Sequence, residues 1–207
     1  MKIAIIGAGN IGGTLGKKWA DAAHEVRFGV RNPTDSKYEA LRSWGTVASV
    51  AEVLSSADVV LVSIPGAAVG EFARQHGAAL NGKVIIDAAN NPRSAVLNNF
   101  EHFQNLPGVS LVRAFSTLGW ENFANPEMDG IQIDLFYCGA ASARSTMDTL
   151  IAQIGLRPIY AGEVDAVNLV DAMTRLWFAL AFNQGKGRRI SFKMLEDGWL
   201  KSSSLRA

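Results

Sequence analysis

The chain has 207 residues, 48% of them hydrophobic, and its 20 Lys and Arg are set against 19 Asp and Glu. A chain of that length can bury one compact core with a small appendage but has no room for a third unit, and its near-neutral balance gives no reason to expect nucleic acid or a membrane surface as the principal partner. A small molecule is therefore the expected ligand, and one cysteine, Cys138, excludes an internal disulfide and a cysteine metal cluster.

Residues 2–6, KIAII, form a short apolar run that stops at glycine. A helical stretch follows to about Ala22, and EVRFGV (25–30) reads as a second strand. Met1-Lys2 leads straight into the first strand without the layout of a signal peptide, which sets the expectation of a cytoplasmic protein. Ser49 to Glu52 has the form of a capping box opening a short helix. ADVVLVSI (57–64) is an unbroken run of the kind that a parallel strand covered on both faces needs. GKVIID (82–87) and VSLVRAF (109–115) repeat that pattern, and LFYCG (135–139) adds a further strand. ARSTMDTLIAQIG (143–155) reads as a helix stopped by Gly155. From Asp165 to about Gln184 runs one long, unusually apolar helix, ended by GKGRR (185–189). Its most apolar stretch, LWFALAF (176–182), is far shorter than the ~20 residues of a membrane helix, so it is read as a core or interface helix.

This alternation specifies an α/β protein of Rossmann type, doubly wound, with a mostly parallel sheet. The expected division is a dinucleotide-binding domain over residues 1–142 and a small, mainly helical C-terminal domain over residues 143–207 packed on it.

The strongest chemical signal is GAGNIG (7–12), a GxGxxG motif placed between a predicted strand and a predicted helix. In that context Gly7 permits the tight turn, Gly9 admits a pyrophosphate close to the backbone, and Gly12 lets helix pack on strand. Asn10 and Ile11 open the helix, whose N-terminus offers amide donors and partial positive charge to phosphate. At the end of the second strand, where an acid would bind the ribose hydroxyls of NAD, the residue is Arg31. A guanidinium there can pair with the 2′-phosphate of NADP and stack on adenine. The expected cofactor is therefore NADP, with Asn32, Thr34, Ser36 and Lys37 as further donors.

Ligands of open parallel sheets sit beyond the carboxyl ends of the strands. Three strand ends are candidates for the nicotinamide site: Ser63, Ile64 and Pro65; Asn90 to Pro92; and Ser116 to Gly119. Asn90 and Thr117 would offer amide or hydroxyl contacts, and Ser116 and Thr117 are the candidate catalytic positions. His24, His76 and His102 show no metal or nucleophile-and-base spacing, and no metal site is expected. The lack of an acid and base pair fits a hydride passed directly between two rings held in register.

The blocks MKIAIIGAGNIGGTLGKKWADAAHEVRFGVRNP, ADVVLVSIP, VIIDAANNP and VRAFSTLGWENFANP resemble the NADP-dependent oxidoreductases of the deazaflavin coenzyme F-420. The resemblance implies that the loop at Gly9 to Ile11 and the segment at Arg31 hold NADP. It also implies that the loops at residues 63–65, 90–92 and 116–118 face the nicotinamide and a deazaflavin. The chain departs from the family's pattern at Asn32, where a second basic residue is common, and at Ser116, where Asn is common. The expected activity is NADP(H)-dependent hydride transfer to or from a planar acceptor, a deazaflavin or flavin. The alternatives are an NADPH-dependent imine or carbonyl reductase, with Thr117 or Tyr137 as proton donor, and a non-catalytic NADP sensor. The surplus apolar surface of the C-terminal helix implies a homodimer. GKGRR either ends that helix or holds the anionic tail of the acceptor.

Overall fold

The computed structural model describes residues 1–197. Strands β1 (Lys2–Ile6), β2 (Glu25–Val30), β3 (Thr46–Ser49), β4 (Val59–Val62), β5 (Val84–Asp87) and β6 (Ser110–Arg113) pair in parallel. A short hairpin, β7 (Glu127–Met128) and β8 (Ile131–Gln132), stands apart. β9 (Asp134–Gly139) then returns antiparallel to β6, and β10 (Arg157–Tyr160) lies parallel to β9. The sheet order is β10-β9-β6-β5-β4-β1-β2-β3, so the strand order reverses between β1 and β4.

Helices α1 (Asn10–Asp21), α2 (Val50–Leu54), α3 (Val69–Leu80), α4 (Trp120–Ala124), α5 (Arg144–Gln153) and α6 (Val167–Phe178) divide between the two faces. Side chains of a strand alternate between faces: Ile3, Ile5, Val59 and Leu61 enter one buried cluster with Leu15 and Trp19 of α1, Phe123 of α4 and Leu150 of α5. Ala4, Ile6, Val60 and Val62 enter the other with Val53 of α2 and Phe72 of α3. A parallel sheet covered on both faces is the doubly wound Rossmann arrangement, as the alternation of elements required. The capping box is made as expected, with the Ser49 amide donating to Glu52 Oε2 at 2.9 Å and the Glu52 amide to Ser49 Oγ at 3.4 Å.

β10 was not foreseen. Its sequence RPIY is half-buried throughout and carries no alternation, and it lies at the sheet edge, where the missing N–H of Pro158 is tolerated. The sheet thus continues across residue 142, where the division into two parts was expected. Residues 143–197 supply α5, β10 and α6, the last prolonged by a π turn over Ala179–Asn183.

Beyond that turn the chain runs back over α4 without regular structure. Arg189 donates to the carbonyls of Glu121, Asn125 and Glu127 and to Asn122 Oδ1, and Arg188 pairs with Glu121 at 2.6 Å. Further on, Asp134 accepts from the Lys193 ammonium at 2.6 Å and the Met194 amide at 2.8 Å, and it pairs with Arg157. GKGRR therefore fastens the C-terminal segment, and its two arginines are engaged by the protein itself. Cys138 is buried in β9, where burial pushes its thiol up to about 12.

Candidate functional site: the carboxyl ends of the strands

The turn after β1 is built as the glycine spacing requires. Gly7 has φ +103°, a conformation that costs other residues strain, and a β-carbon on Gly12 would overlap the Gly7 carbonyl oxygen. Ser63, at the end of β4, donates from Oγ to the carbonyls of Gly7 at 2.8 Å and Ile6 at 3.2 Å. Its hydroxyl thus braces the glycine turn. The position of a β-carbon on Gly9 opens on empty space. Gly9 is also the N-cap of α1, and no side chain caps the first-turn amides of Asn10, Ile11 and Gly12, which leaves them as donors for an anion.

Beside this turn lies a cavity of about 680 Å³ lined by Gly7, Ala8, Arg31, Asn32, Lys37, Tyr38, Ile64, Phe72 and His76, among others. Arg31 is exposed on its wall, and among the described residues no acid or carbonyl pairs with its guanidinium. Asn32 is turned toward its own loop, accepting from the Thr34 hydroxyl at 2.8 Å. Lys37 is tied to Asp35 at 2.7 Å, and that hydrogen bond holds the Asp35 carboxyl low. One acid on the cavity wall, Glu71, is paired with Arg74. The open glycine cradle, the uncapped amides and the unpaired Arg31 fit a dinucleotide carrying an additional phosphate. Tyr38, Phe72, Gln75 and His76 also face this cavity. Sequence reasoning missed them, since their convergence depends on how α3 and the turn over residues 36–43 fold back beside β2.

The other strand ends are closed by charge. Arg113, at the end of β6, is fully buried. Its Nε donates to Asp171 of α6 at 2.9 Å, its Nη1 to the carbonyls of Ala89 at 2.6 Å and Asp87 at 3.2 Å, and its Nη2 to Asn90 Oδ1 at 2.5 Å. Asp87, at the end of β5, accepts from the Asn99 amide at 2.7 Å and from Asn99 Nδ2 at 3.0 Å. Burial pushes its carboxyl up, against the opposing pull of Arg113 and these donors. Asp171 also accepts from the backbone and side chain of Asn98 at 3.0 and 2.8 Å. Two strand ends, the loop over residues 88–99 and α6 are thereby joined in one buried cluster.

Beyond Arg113 the chain turns at Phe115, whose φ of +59° is a sparsely populated conformation for a bulky residue. Edge-on packing between Trp19 at 5.8 Å and Phe123 at 5.6 Å holds it there. Ser116 and Thr117 follow and are both buried. Ser116 Oγ lies 3.3 Å from the Thr174 hydroxyl, whereas Thr117 Oγ1 has no hydrogen-bond partner among the described residues. Pro65 is exposed, while Ile64 lines the cavity. The alternative proton donor Tyr137 is misplaced for that role: it packs under α5 and donates to Asp148 at 2.5 Å, and burial together with that acid raises its hydroxyl pKa. Among the described residues no cluster of His, Cys, Asp and Glu could hold a metal ion.

The glycine turn, the first helix and the strand ends after β4 and β5 all fall within one family signature. Residues 2–91 match the family of coenzyme F420-dependent NADP oxidoreductases. The resemblance read from the sequence is borne out over that segment, which is of an oxidoreductase type. Among solved structures, the fold is similar to that of a protein of Arthrobacter sp. FB24 described as a candidate F420-dependent NADP reductase, with 23% identity over 95% of this chain and 100% of that one and a TM-score of 0.83. It is also similar to an imine reductase of Streptomyces aurantiacus, with 20% identity over 91% of this chain and 69% of that one and a TM-score of 0.61. A 3-hydroxyisobutyrate dehydrogenase of Mycobacterium tuberculosis has 19% identity over 88% of this chain and 62% of its own, with a TM-score of 0.61. At these identities the likeness is one of fold.

Proposed function

We propose that the protein is an NADP(H)-dependent oxidoreductase that passes hydride between the nicotinamide and a planar acceptor, a deazaflavin such as coenzyme F-420 or a flavin. The observation that carries the reading is Arg31, an unpaired guanidinium on a cavity wall beside an open glycine cradle. In this reading Gly7, Gly9 and Gly12 shape the cradle, and the amides of Asn10 and Ile11 receive the pyrophosphate. Arg31, with Asn32 and Lys37 beside it, receives the 2′-phosphate. Lys37 must exchange its pairing with Asp35 to take part. The loops at Ser63 to Pro65, Asn90 and Ser116 to Thr117 then border the ring. Bound NADPH would supply the hydride; the chain's own contribution is to hold two rings in register and keep water out. Thr117, buried and without a partner among the described residues, is the hydroxyl best suited to a ligand atom.

The test is hydride transfer from NADPH to a panel of deazaflavin, flavin and imine acceptors, alongside dissociation constants for NADPH and NADH. Transfer to the deazaflavin with tighter binding of NADPH is expected. Turnover of the imine alone would replace the planar acceptor by a C=N bond, and cofactor binding without any turnover would favour a sensor.

The same reading includes a homodimer working in the cytoplasm. On α6, Val170, Thr174 and Trp177 face the body, while Leu169 at 63% and Leu176 at 50% exposure form a second apolar stripe, continued by Phe182 at 54%. Sedimentation at micromolar concentration should give a dimer; a clean monomer would count against it.

A further inference from the structure

We propose that Arg113 is a positioning residue that fixes Asn90 as a hydrogen-bond donor to the carbonyl oxygen of the nicotinamide carboxamide. The proposal rests on the NADP(H) reading and names how its ring end is recognised. A guanidinium carries donors only. With Nη2 at 2.5 Å from Asn90, the side-chain amide can meet it only through oxygen, which turns Nδ2 the other way. Nδ2 has no partner among the described residues.

The guanidinium cannot turn to accommodate another arrangement. Asp171 holds Nε, the Ala89 carbonyl holds Nη1, and Asp87 Oδ2 lies 3.4 Å from Nη1. The backbone that carries Asn90 is equally fixed. Asn91 donates from its amide to the Leu97 carbonyl at 2.9 Å and from Nδ2 to Asn99 Oδ1 at 2.7 Å. The Asn90 carbonyl lies so close to Gly66 that a β-carbon there would come within 2.5 Å of it. Asn90 therefore presents the donors of Nδ2 at the carboxyl end of β5, with its amide oxygen turned to Arg113. Such a group favours a carbonyl oxygen over an amino group. In the proposed cofactor, the carbonyl carried directly on the ring is that of the carboxamide.

The consequence can be read by binding alone. Four ligands are compared by calorimetry: NADP+, its 3-acetylpyridine analogue, which keeps the carbonyl, its 3-aminopyridine analogue, which lacks it, and 2′,5′-ADP, which lacks the ring. The proteins are wild type, Asn90→Ala, Asn90→Asp and Arg113→Lys. Asn90→Asp retains the contact with Arg113 but removes the donor, so it separates the hydrogen bond from packing. Each Asn90 variant should weaken NADP+ and the acetylpyridine analogue about fivefold to tenfold, the size of one hydrogen bond, and leave the aminopyridine analogue and 2′,5′-ADP unchanged. Arg113→Lys, which cannot span the same acceptors, should reproduce that pattern; if it does not fold, the two Asn90 variants decide. Equal losses for all four ligands, or none for NADP+, would overturn the proposal. Wild-type protein that binds neither NADP+ nor 2′,5′-ADP would overturn the cofactor reading, whereas tight 2′,5′-ADP binding with no effect at Asn90 would overturn this proposal alone.

Discussion

Arg31 and Arg113 each stand at the carboxyl end of a parallel strand, and the protein treats them in opposite ways. Arg31 closes β2 on an open cavity wall with no partner among the described residues. Arg113 closes β6 in the interior, bonded to two carbonyls, an amide and an acid. An exposed unpaired guanidinium keeps its hydration and costs the fold almost nothing, so it is available to an anion. A buried one is tolerable only with its donors satisfied. Along one sheet, then, the β1–β2 side leaves its charge exposed, and the β5–β6 side uses charge to fasten loops and α6 together.

Removing each charge tests that division. Arg113→Met would leave Asp87 and Asp171 buried without their cation, and a loss of about 3 to 5 kcal/mol in urea unfolding is expected; a loss within error would mean the cluster fastens nothing. Arg31→Ala should leave the unfolding curve in place and weaken NADPH by about 1.5 to 3 kcal/mol, with NADH nearly unaffected. Equal losses for both nucleotides would make Arg31 structural and erase the contrast. Ser49→Ala breaks the cap that starts α2 at Val50, a residue of the cavity wall. It should cost about 1 kcal/mol of stability and little NADPH affinity, which thermal melts and titrations can separate.

The smallest effect appears only in acid. Burial alone would raise the Asp134 carboxyl, but Arg157, Lys193 and the Met194 amide together hold it below the usual carboxylate range. Its folded pKa is thus below the unfolded one. The stability it lends the C-terminal segment is complete at neutral pH and is lost as pH falls through that lowered value. Protection of the Met194 amide against hydrogen exchange, taken relative to the intrinsic rate at each pH, should accordingly be full at neutral pH and fall in acid.

The open side was the legible one. GAGNIG after an apolar run, and arginine in place of an acid at residue 31, are local statements about backbone and charge that survive folding unchanged. So is the capping box at Ser49. The closed side was not legible, because Arg113 inside VSLVRAF reads as one charge in a strand. Only the meeting of β5, β6 and α6 shows that Asp87 and Asp171, 84 positions apart in sequence, flank it. The edge strand β10 escaped for the opposite reason: RPIY has too little pattern to reveal a pairing that the neighbouring β9 imposes. Arg188 and Arg189 were read as a helix end or an anion grip, and what decides their role is a folded-back segment with few local signals.

Cys138 stands in β9 as a single thiol, buried and far from its reactive form at neutral pH. Thiol reagents attack the thiolate and need access to it, so in the native protein they should find nothing to react with. The residue is thus an internal clock for opening of the sheet: the rate at which a maleimide labels it at low denaturant reports how often β9 lifts away from β6. It would do so in a single-label measurement that needs no engineered probe.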